Sequence, residues 1–336
     1  MKIGPCDLDA RVFVVAEAGV NHEGSVDTAL ALVDAAADSG ADAVKFQTYR
    51  TEAYIAASST ERFARMKRFE LSPEAFQKLA ARAKARNILF LSTPLDEESV
   101  EVLDPLVPAF KIASGDLTNL PLLSAIASKG KPIILSTGVA TMAEIESALS
   151  TFRSASQDGP LEERVVLLHC ISSYPAPPEE INLHSIPFMR RHFKLRVGYS
   201  DHTLGTLACH AAVALGARVI EKHFTLSRAN RVFRDHALSL EPHEMKTLVG
   251  EIHSIEKTLG RLEKSPGAAE SKEKMYLRRS LAARRPIAQG DSIRLEFLSG
   301  LRPQEGIPIE EISKVVGKTA ARDIRPGEIL QWKDLR

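Results

Sequence analysis

Cysteine, tryptophan, surplus charge and long apolar runs are all scarce in this chain. Its 336 residues include three cysteines, Cys6, Cys170 and Cys209, and no Cys-x-x-Cys spacing. That argues against a disulfide framework and against a structural zinc site, and a reducing cytoplasm is the expected compartment. Lys and Arg total 44 against 43 Asp and Glu, a formal charge of +1. No global field therefore draws the protein onto nucleic acid or an anionic membrane, and an anionic ligand would need a local cluster. No apolar run approaches the roughly 18 residues of a membrane span. The opening Met1-Lys2-Ile3-Gly4-Pro5-Cys6-Asp7 lacks the apolar stretch of a signal peptide, so neither export by that route nor membrane insertion is expected. Nucleotide and protease signatures are missing as well. There is no G-x-G-x-x-G; Val316-Gly317-Lys318-Thr319 lacks the earlier glycine of a phosphate-binding loop and reads as a turn; His243-Glu244 is followed by Thr247 where a zinc-protease helix needs its second histidine.

With 44% hydrophobic and 26% charged residues the chain is long enough for about two cored domains, which excludes disorder as the dominant state. Short β-branched segments recur at residues 12–16, 43–46, 88–91, 110–113, 132–135, 165–168, 195–198 and 218–220. Between them, stretches such as 25–39, 73–86, 141–152, 203–215 and 241–259 carry apolar residues at helical spacing. Ser72-Pro73-Glu74 supplies an N-cap and a first-turn proline, and Thr141 and Glu144 have capping-box spacing. Eight strand-helix units in about 260 residues fit a (β/α)8 barrel, although a doubly wound sheet has a similar rhythm.

The strand ends favour the barrel. Nearly every strand finishes in polar residues: Glu17, Asn21 and His22; Lys45 and Gln47; Ser92 and Thr93; Lys111 and Ser114; Ser136 and Thr137; His169, Ser172, Ser173 and Tyr174; Ser200, Asp201 and His202; Glu221, Lys222 and His223. In a closed barrel all eight ends converge on one face, whereas an open sheet would scatter them. The division expected is a barrel over 1–262, a charged, small-residue linker over 263–279 and a compact β domain over 280–336. That last segment contains an internal repeat, Ala282-Ala283-Arg284 to Gly290-Asp291 against Ala320-Ala321-Arg322 to Gly327-Glu328, rich in turn residues.

Three groups bear on chemistry. His202 and His223 end neighbouring strands and could ligate a divalent metal, leaving positions open for water and a substrate oxygen; a pair of structural histidines is the alternative. Lys45 and Lys111 sit in apolar strands, where a buried ammonium needs an anion. That anion is either an internal carboxylate such as Glu17, Asp116 or Glu221, or a substrate phosphate or carboxylate helped by Thr93, Ser114 and Ser136; a Schiff-base lysine is a third option. Arg228, Arg231 and Arg234 form a basic loop that reads as solvated charge or a substrate-anion contact.

Taken in order, Ala16-Glu17-Ala18-Gly19-Val20-Asn21-His22, Val44-Lys45-Phe46-Gln47-Thr48, Ser92-Thr93-Pro94, Lys111-Ile112-Ala113-Ser114-Gly115-Asp116, Ser136-Thr137-Gly138, Leu168-His169-Cys170, Tyr174-Pro175, Tyr199-Ser200-Asp201-His202-Thr203 and Glu221-Lys222-His223-Phe224-Thr225 closely resemble the sialic acid synthases. The C-terminal repeat resembles their antifreeze-like (SAF) β-clip domain, so the likeness covers almost the whole chain. It implies condensation of phosphoenolpyruvate with an N-acyl mannosamine-type sugar to a nine-carbon 2-keto acid, in a domain-swapped homodimer. It implies a divalent metal, Mn2+ with Mg2+ or Co2+ as alternatives, on His202 and His223. Lys45, Thr93, Lys111, Ser114, Ser136, Ser172 and Tyr174 match positions around phosphoenolpyruvate; Gln47, Tyr174, Asp235 and Arg302 match positions around the sugar, Arg302 coming from the partner. Glu17, Asp116 and Asp235 match acidic positions at the reacting centre, with Glu17 the candidate to orient or deprotonate water. Ser172 replaces a frequent asparagine and Asp116 a frequent glutamate, so the contacts there differ. The segment from Asp235 to Ser239 fits neuraminate- or legionaminate-type enzymes better than pseudaminate-type ones. Rivals are a 3-deoxy sugar acid synthase, which the C-terminal repeat disfavours, a Schiff-base aldolase, and a non-catalytic sugar-binding protein.

Overall fold

The computed structural model describes residues 1–155 and 159–336, which form two compact units, Met1–Gly260 and Arg261–Arg336. In the first, eight strands follow one another: β1 (Phe13–Gly19), β2 (Ala43–Thr48), β3 (Leu89–Pro94), β4 (Phe110–Ile112), β5 (Ile133–Ser136), β6 (Val165–Cys170), β7 (Arg196–Asp201) and β8 (Val219–His223). Parallel ladders join them in the order β3-β2-β1-β8-β7-β6-β5-β4, and β4 lies beside β3, which makes a nearly closed barrel. A principal helix follows each strand: α1 (Val26–Asp38), α2 (Pro73–Ala85), α3 (Glu97–Leu103), α4 (Leu120–Ala127), α5 (Met142–Ala155), α6 (Ser185–Phe193), α7 (Leu207–Ala214) and α8 (Pro242–Leu259). This is the (β/α)8 architecture expected from the alternation. Among the described residues no helix is long and apolar enough to cross a membrane.

Strand alternation sorts the side chains into two cores. Val14, Val44, Phe90, Phe110, Leu135, Leu167, Val197 and Ile220 face outward and pack against the helices. Phe13, Val15, Ala43, Leu91, Ala109, Ile134, Val166, Leu168 and Val219 face inward and fill the lower barrel, with Ile3, Cys6 and Leu8 from a short hairpin in the same cluster. Higher on the same inward columns the residues become polar: Glu17, Lys45, Thr93, Lys111, Ser136, Ser200, Glu221 and His223. The apolar layers close the barrel at one end and leave a polar mouth at the other. Gly198 lies in the inward column of β7, where a Cβ would run into Val219 O and Leu168 Cδ2, so only glycine lets the strands approach there.

The capping signals act as read. Ser72 accepts from Ala75 N–H at 3.4 Å ahead of Pro73, while Thr141 N–H donates to Glu144 Oε2 at 2.7 Å and Glu144 N–H returns to Thr141 Oγ1 at 3.3 Å. Two expectations need correction. The helix expected over 203–215 begins only at Leu207, because Thr203 is engaged by Asp201 in a turn. The loop after β2 contains two unforeseen helices, Thr51–Tyr54 and Thr60–Phe69; their buried Met66 and Phe69 pack in a local cluster with Val20, Tyr49 and Leu95.

In the second unit, Ser280–Ala283 pairs antiparallel with Leu298–Leu301 over a core that includes Leu281, Ile293, Ile307 and Leu330. The repeat is structural: Ile287 and Ile324 bridge each other, and the two copies make the same turn bond, Ala288 N–H to Asp291 Oδ2 at 3.0 Å and Arg325 N–H to Glu328 Oε2 at 2.9 Å. Gly317, at φ +90°, makes the 316–319 segment a turn. Residues 263–279 include a helix, Ala268–Leu277, with no buried side chain.

Candidate active site at the barrel mouth

Four buried charges form the floor of the mouth. Lys45 Nζ lies 2.5 Å from Glu17 Oε2 and 3.7 Å from Glu221 Oε2, and Lys111 Nζ lies 3.4 Å from Glu221 Oε1. Ser200 Oγ donates to Glu221 Oε1 at 2.9 Å and Lys45 Nζ to Thr93 Oγ1 at 3.3 Å. Burial pushes Glu17 up to about 7 against the pull of Lys45. Burial also opposes the charge on Glu221, but Lys111 and Lys45 outweigh it and hold that carboxylate below its ordinary range. Lys111 is lowered by burial, whereas Lys45 is raised because Glu17 and Glu221 overcome the same burial. The floor thus holds one firm carboxylate, one carboxylate poised near neutrality and two lysines able to exchange internal partners for a ligand anion.

A small-residue cradle adjoins it. Gly138 N–H donates to Ser114 Oγ at 3.0 Å, and a Cβ at Gly138 would collide with Ser172 Oγ and Ser114 Oγ. Ser136 Oγ is buried with no protein partner among the described residues. The hydroxyls of Ser114, Ser136 and Ser172 and the Lys111 ammonium line one recess suited to an anion, with the Gly138 N–H holding Ser114 in place.

On the other side stand His202 and His223, with ring centroids 5.2 Å apart. Burial lowers both below the usual imidazole range, His223 strongly, so both are neutral near pH 7. His202 Nδ1 lies 2.7 Å from Ile171 O; a carbonyl only accepts, so Nδ1 carries the proton and Nε2 the free lone pair. Tyr174 covers the pair, its ring 4.1 Å from His202 and edge-on to His223 at 5.9 Å. Arg234 lies 4.7 Å from the Tyr174 ring centroid and 3.3 Å from Asp235 Oδ1. Asp235 is raised by burial despite that arginine, and the half-buried Asp116 is raised by burial too.

The structure brings Glu17, Lys45, Gln47, Thr93, Lys111, Ser114, Asp116, Ser136, Ser172, Tyr174, His202, His223 and Asp235 to one cavity of about 910 Å3. Arg302 is exposed in the second unit. The strand-end clusters do not converge whole, however. Alternation splits them, and only inward members reach the cavity. Asn21 Nδ2 donates to Phe224 O, His22 Nδ1 accepts from Gly24 N–H, Ser92 bonds Thr48, Thr137 donates to Leu168 O and His169 Nε2 bonds Ile181 O. Asp201 and Lys222 pair with each other behind the wall.

Sequence reasoning undervalued Glu221, named only as a possible partner for lysine. Its signal was the two-residue step to His223, matched by Ser200 and His202, which places each pair on one face. The basic loop divides as well: Arg228 pairs with Glu244 and Arg231 with Glu23, while Arg234 lines the cavity. The apolar upper wall of Met66, Phe69, Leu95 and Phe233 had no signal, because it depends on the unforeseen helix.

Residues 32–264 match the NeuB family and residues 278–336 the SAF domain. The chain belongs to the NeuB family. It is 41% identical over 335 residues to an N,N'-diacetyllegionaminic acid synthase of Campylobacter jejuni, covering 96% of this chain and 99% of the relative. A protein of the same name from Legionella pneumophila is 40% identical over 347 residues, covering 99% and 97%. The crystal structure of an N-acetylneuraminic acid (sialic acid) synthetase from Leptospira borgpetersenii superposes with a TM-score of 0.73 at 39% identity, over 78% of this chain and 90% of that one. This NeuB member is therefore an enzyme of the sialic, legionaminic and pseudaminic acid synthase group, and its barrel mouth is the candidate active site.

Proposed function

We propose that the enzyme condenses phosphoenolpyruvate with an N-acylated hexose of the 2,4-diacetamido-6-deoxy type, releasing phosphate and forming a nine-carbon 2-keto acid of the legionaminic class. The observation that carries this reading is a cavity with two chemically different halves. Lys45, Lys111 and the serine cradle form an anion floor suited to phosphoenolpyruvate, while Met66, Phe69, Leu95 and Phe233 offer an apolar wall to acetyl and C6 methyl groups, with Gln47 and Asp235 for hydroxyls. Identities of 41% and 40% to the two legionaminic acid synthases support the same sugar class. N-acetylmannosamine is the second reading, favoured by the Leptospira structure.

In this mechanism Lys45 and Lys111 turn from Glu17 and Glu221 to the carboxylate and phosphate of phosphoenolpyruvate, and the hydroxyls of Thr93, Ser114, Ser136 and Ser172 fix its orientation, Ser114 being held by the Gly138 N–H. C3 attacks the aldehyde carbon of the open-chain sugar, forming the C–C bond, and the alkoxide left on the aldehyde oxygen is neutralised by the proton that water gives up in the next step. Water adds to C2 and yields its proton to Glu17, whose pKa suits a base at neutral pH. The C–O bond to phosphate in the tetrahedral centre then breaks, the phosphate leaves with the proton of the C2 hydroxyl, and the keto group remains. Asp235, with Arg234 and Tyr174, orients the sugar, and Asp116 stands at the cradle rim.

The donor set fits a divalent metal. Two neutral imidazoles face each other, His223 Nδ1 is buried with no partner among the described residues, and His202 keeps Nε2 unprotonated. Among the described residues no group of three or more His, Cys, Asp and Glu side chains gathers for a metal, so the other positions would fall to water and substrate oxygens. Mn2+, with Mg2+ or Co2+ as alternatives, would be held by His202 and His223 and would supply Lewis-acid polarisation of the aldehyde.

The active form in this reading is a cytoplasmic homodimer, in keeping with three buried free thiols. The C-terminal domain of a second copy covers the mouth, where Val139 and Val232 are 81% and 97% exposed on the rim. Arg302 of the partner subunit would then reach the sugar.

The test is phosphate release from phosphoenolpyruvate with Mn2+ or after chelation, using N-acetylmannosamine, its 6-phosphate and 2,4-diacetamido-6-deoxy hexoses. Metal-dependent release with a diacetamido hexose is expected. Release with N-acetylmannosamine alone would move the enzyme to the neuraminate branch, and none with any sugar would reject the condensation.

A further inference from the structure

Behind the two histidines, on the helix-facing side of the wall, lies a pair of opposite charges that the reaction does not use. Asp201 and Lys222 are direct cross-strand partners in the β7–β8 ladder, each one residue before a histidine. Alternation turns them outward where His202 and His223 turn in. Both are completely buried, with Lys222 Nζ 2.8 Å from Asp201 Oδ2. The carboxylate is saturated: Oδ1 accepts from Tyr199 OH at 3.0 Å and Thr203 N–H at 2.9 Å, and Oδ2 from Thr203 Oγ1 and Cys209 Sγ, both at 3.2 Å. Lys222 Nζ also donates to Thr203 O at 2.5 Å. Thr203, the residue after His202, is thus bound through its N–H to the carboxylate of the residue before His202 and through its C=O to the ammonium of the residue before His223.

A buried ion pair is a poor source of stability, because desolvation of two charges cancels most of their attraction and a well-packed apolar pair of similar volume often serves as well. Its distinctive property is direction, since it is satisfied in one register and in no neighbouring one. We propose that the Asp201–Lys222 pair is a positioning device that fixes the separation and orientation of His202 and His223 and thereby sets the divalent-metal affinity of the site. The inference rests on the metal reading given above. The groups that would hold the anion are spared, because Lys45 comes from β2, Lys111 and Ser114 from β4 and the turn after it, and Ser136 from β5; the floor residues on β7 and β8, Ser200 and Glu221, bond each other, and Glu221 pairs with the lysines.

The test uses the full-length protein. Asp201→Asn/Lys222→Met removes both charges without stranding either, and Tyr199→Phe removes one bond to the carboxylate while keeping both charges. Three quantities are read: Co2+ and Mn2+ affinity by chelator competition, the Co2+ visible spectrum, and phosphoenolpyruvate affinity without metal. The double variant should bind Co2+ at least about tenfold more weakly, with an altered spectrum, and phosphoenolpyruvate within about twofold of the parent. Tyr199→Phe should fall between, with a twofold to fivefold loss. Parental Co2+ affinity and spectrum in the folded double variant would overturn the proposal; should that variant not fold, the same result in Tyr199→Phe would do so. Parental Co2+ binding in His202→Ala/His223→Ala would instead remove the metal reading, and this proposal with it.

Discussion

At the residue scale the most informative group is Glu17, a carboxylate beside Lys45 that burial has lifted to about 7. A general base works only when deprotonated, so kcat/KM should fall about tenfold per pH unit below roughly pH 7. Glu17→Gln should lower kcat by about 10²- to 10⁴-fold and flatten that acidic limb, which a pH–rate profile of both proteins would reveal. An unchanged acidic limb in the variant would assign the base elsewhere. Lys111 works in the opposite sense, since it must be charged to hold an anion and burial lowers it from the ordinary lysine range. Phosphoenolpyruvate affinity should therefore weaken at a lower pH than a free lysine would dictate. Arg234, set against Tyr174 and Asp235 at the cavity, is expected to serve the sugar. Arg234→Ala should raise the sugar KM by about three- to thirtyfold, the scale of one charged contact, with the phosphoenolpyruvate KM unchanged. Equal shifts in both constants would place it on the anion instead.

At the element scale, the period of two decides what each strand contributes. Gly198 shows the cost of breaking it. Gly198→Ala would press a methyl against Val219 O and Leu168 Cδ2, and the expected loss is about 1–3 kcal/mol of stability by chemical denaturation. Thr141→Ala removes the hydroxyl's half of the capping box at the start of α5, leaving Glu144 N–H without its acceptor, and should cost about 1 kcal/mol with no change in KM. Helix starts of this kind were legible because a cap is a local bond between residues three apart. The start of α7 was not, because Thr203 is taken by a carboxylate that also receives Lys222 from the next strand. The helix Thr60–Phe69 was missed for a related reason: it carries many charges, and the surface that stabilises it comes from Val20, Tyr49 and Leu95 on other segments.

At the scale of the whole molecule, the proposed metal and the proposed dimer are each tested by removal. Chelation should abolish turnover yet leave phosphoenolpyruvate binding, because the lysine floor is built without the histidines; calorimetry on the chelated enzyme separates the two. Arg302→Ala should raise the sugar KM more than that of phosphoenolpyruvate, while light scattering still reports a dimer. Activity in a monomer would contradict the capped arrangement.

The sequence by itself determined the eight-fold strand-helix rhythm, the capping signals, the C-terminal repeat and the inventory of polar strand ends. Each of these is written in spacing along the chain, and spacing is what local backbone geometry reads. Only the tertiary structure decided which polar residue of each cluster faces the cavity, that Glu221 joins Lys45 to Lys111, and that Asp201 and Lys222 stand behind the histidines. Those outcomes follow from the phase of each strand in the barrel and from its register against its neighbour, and a single strand carries no record of either.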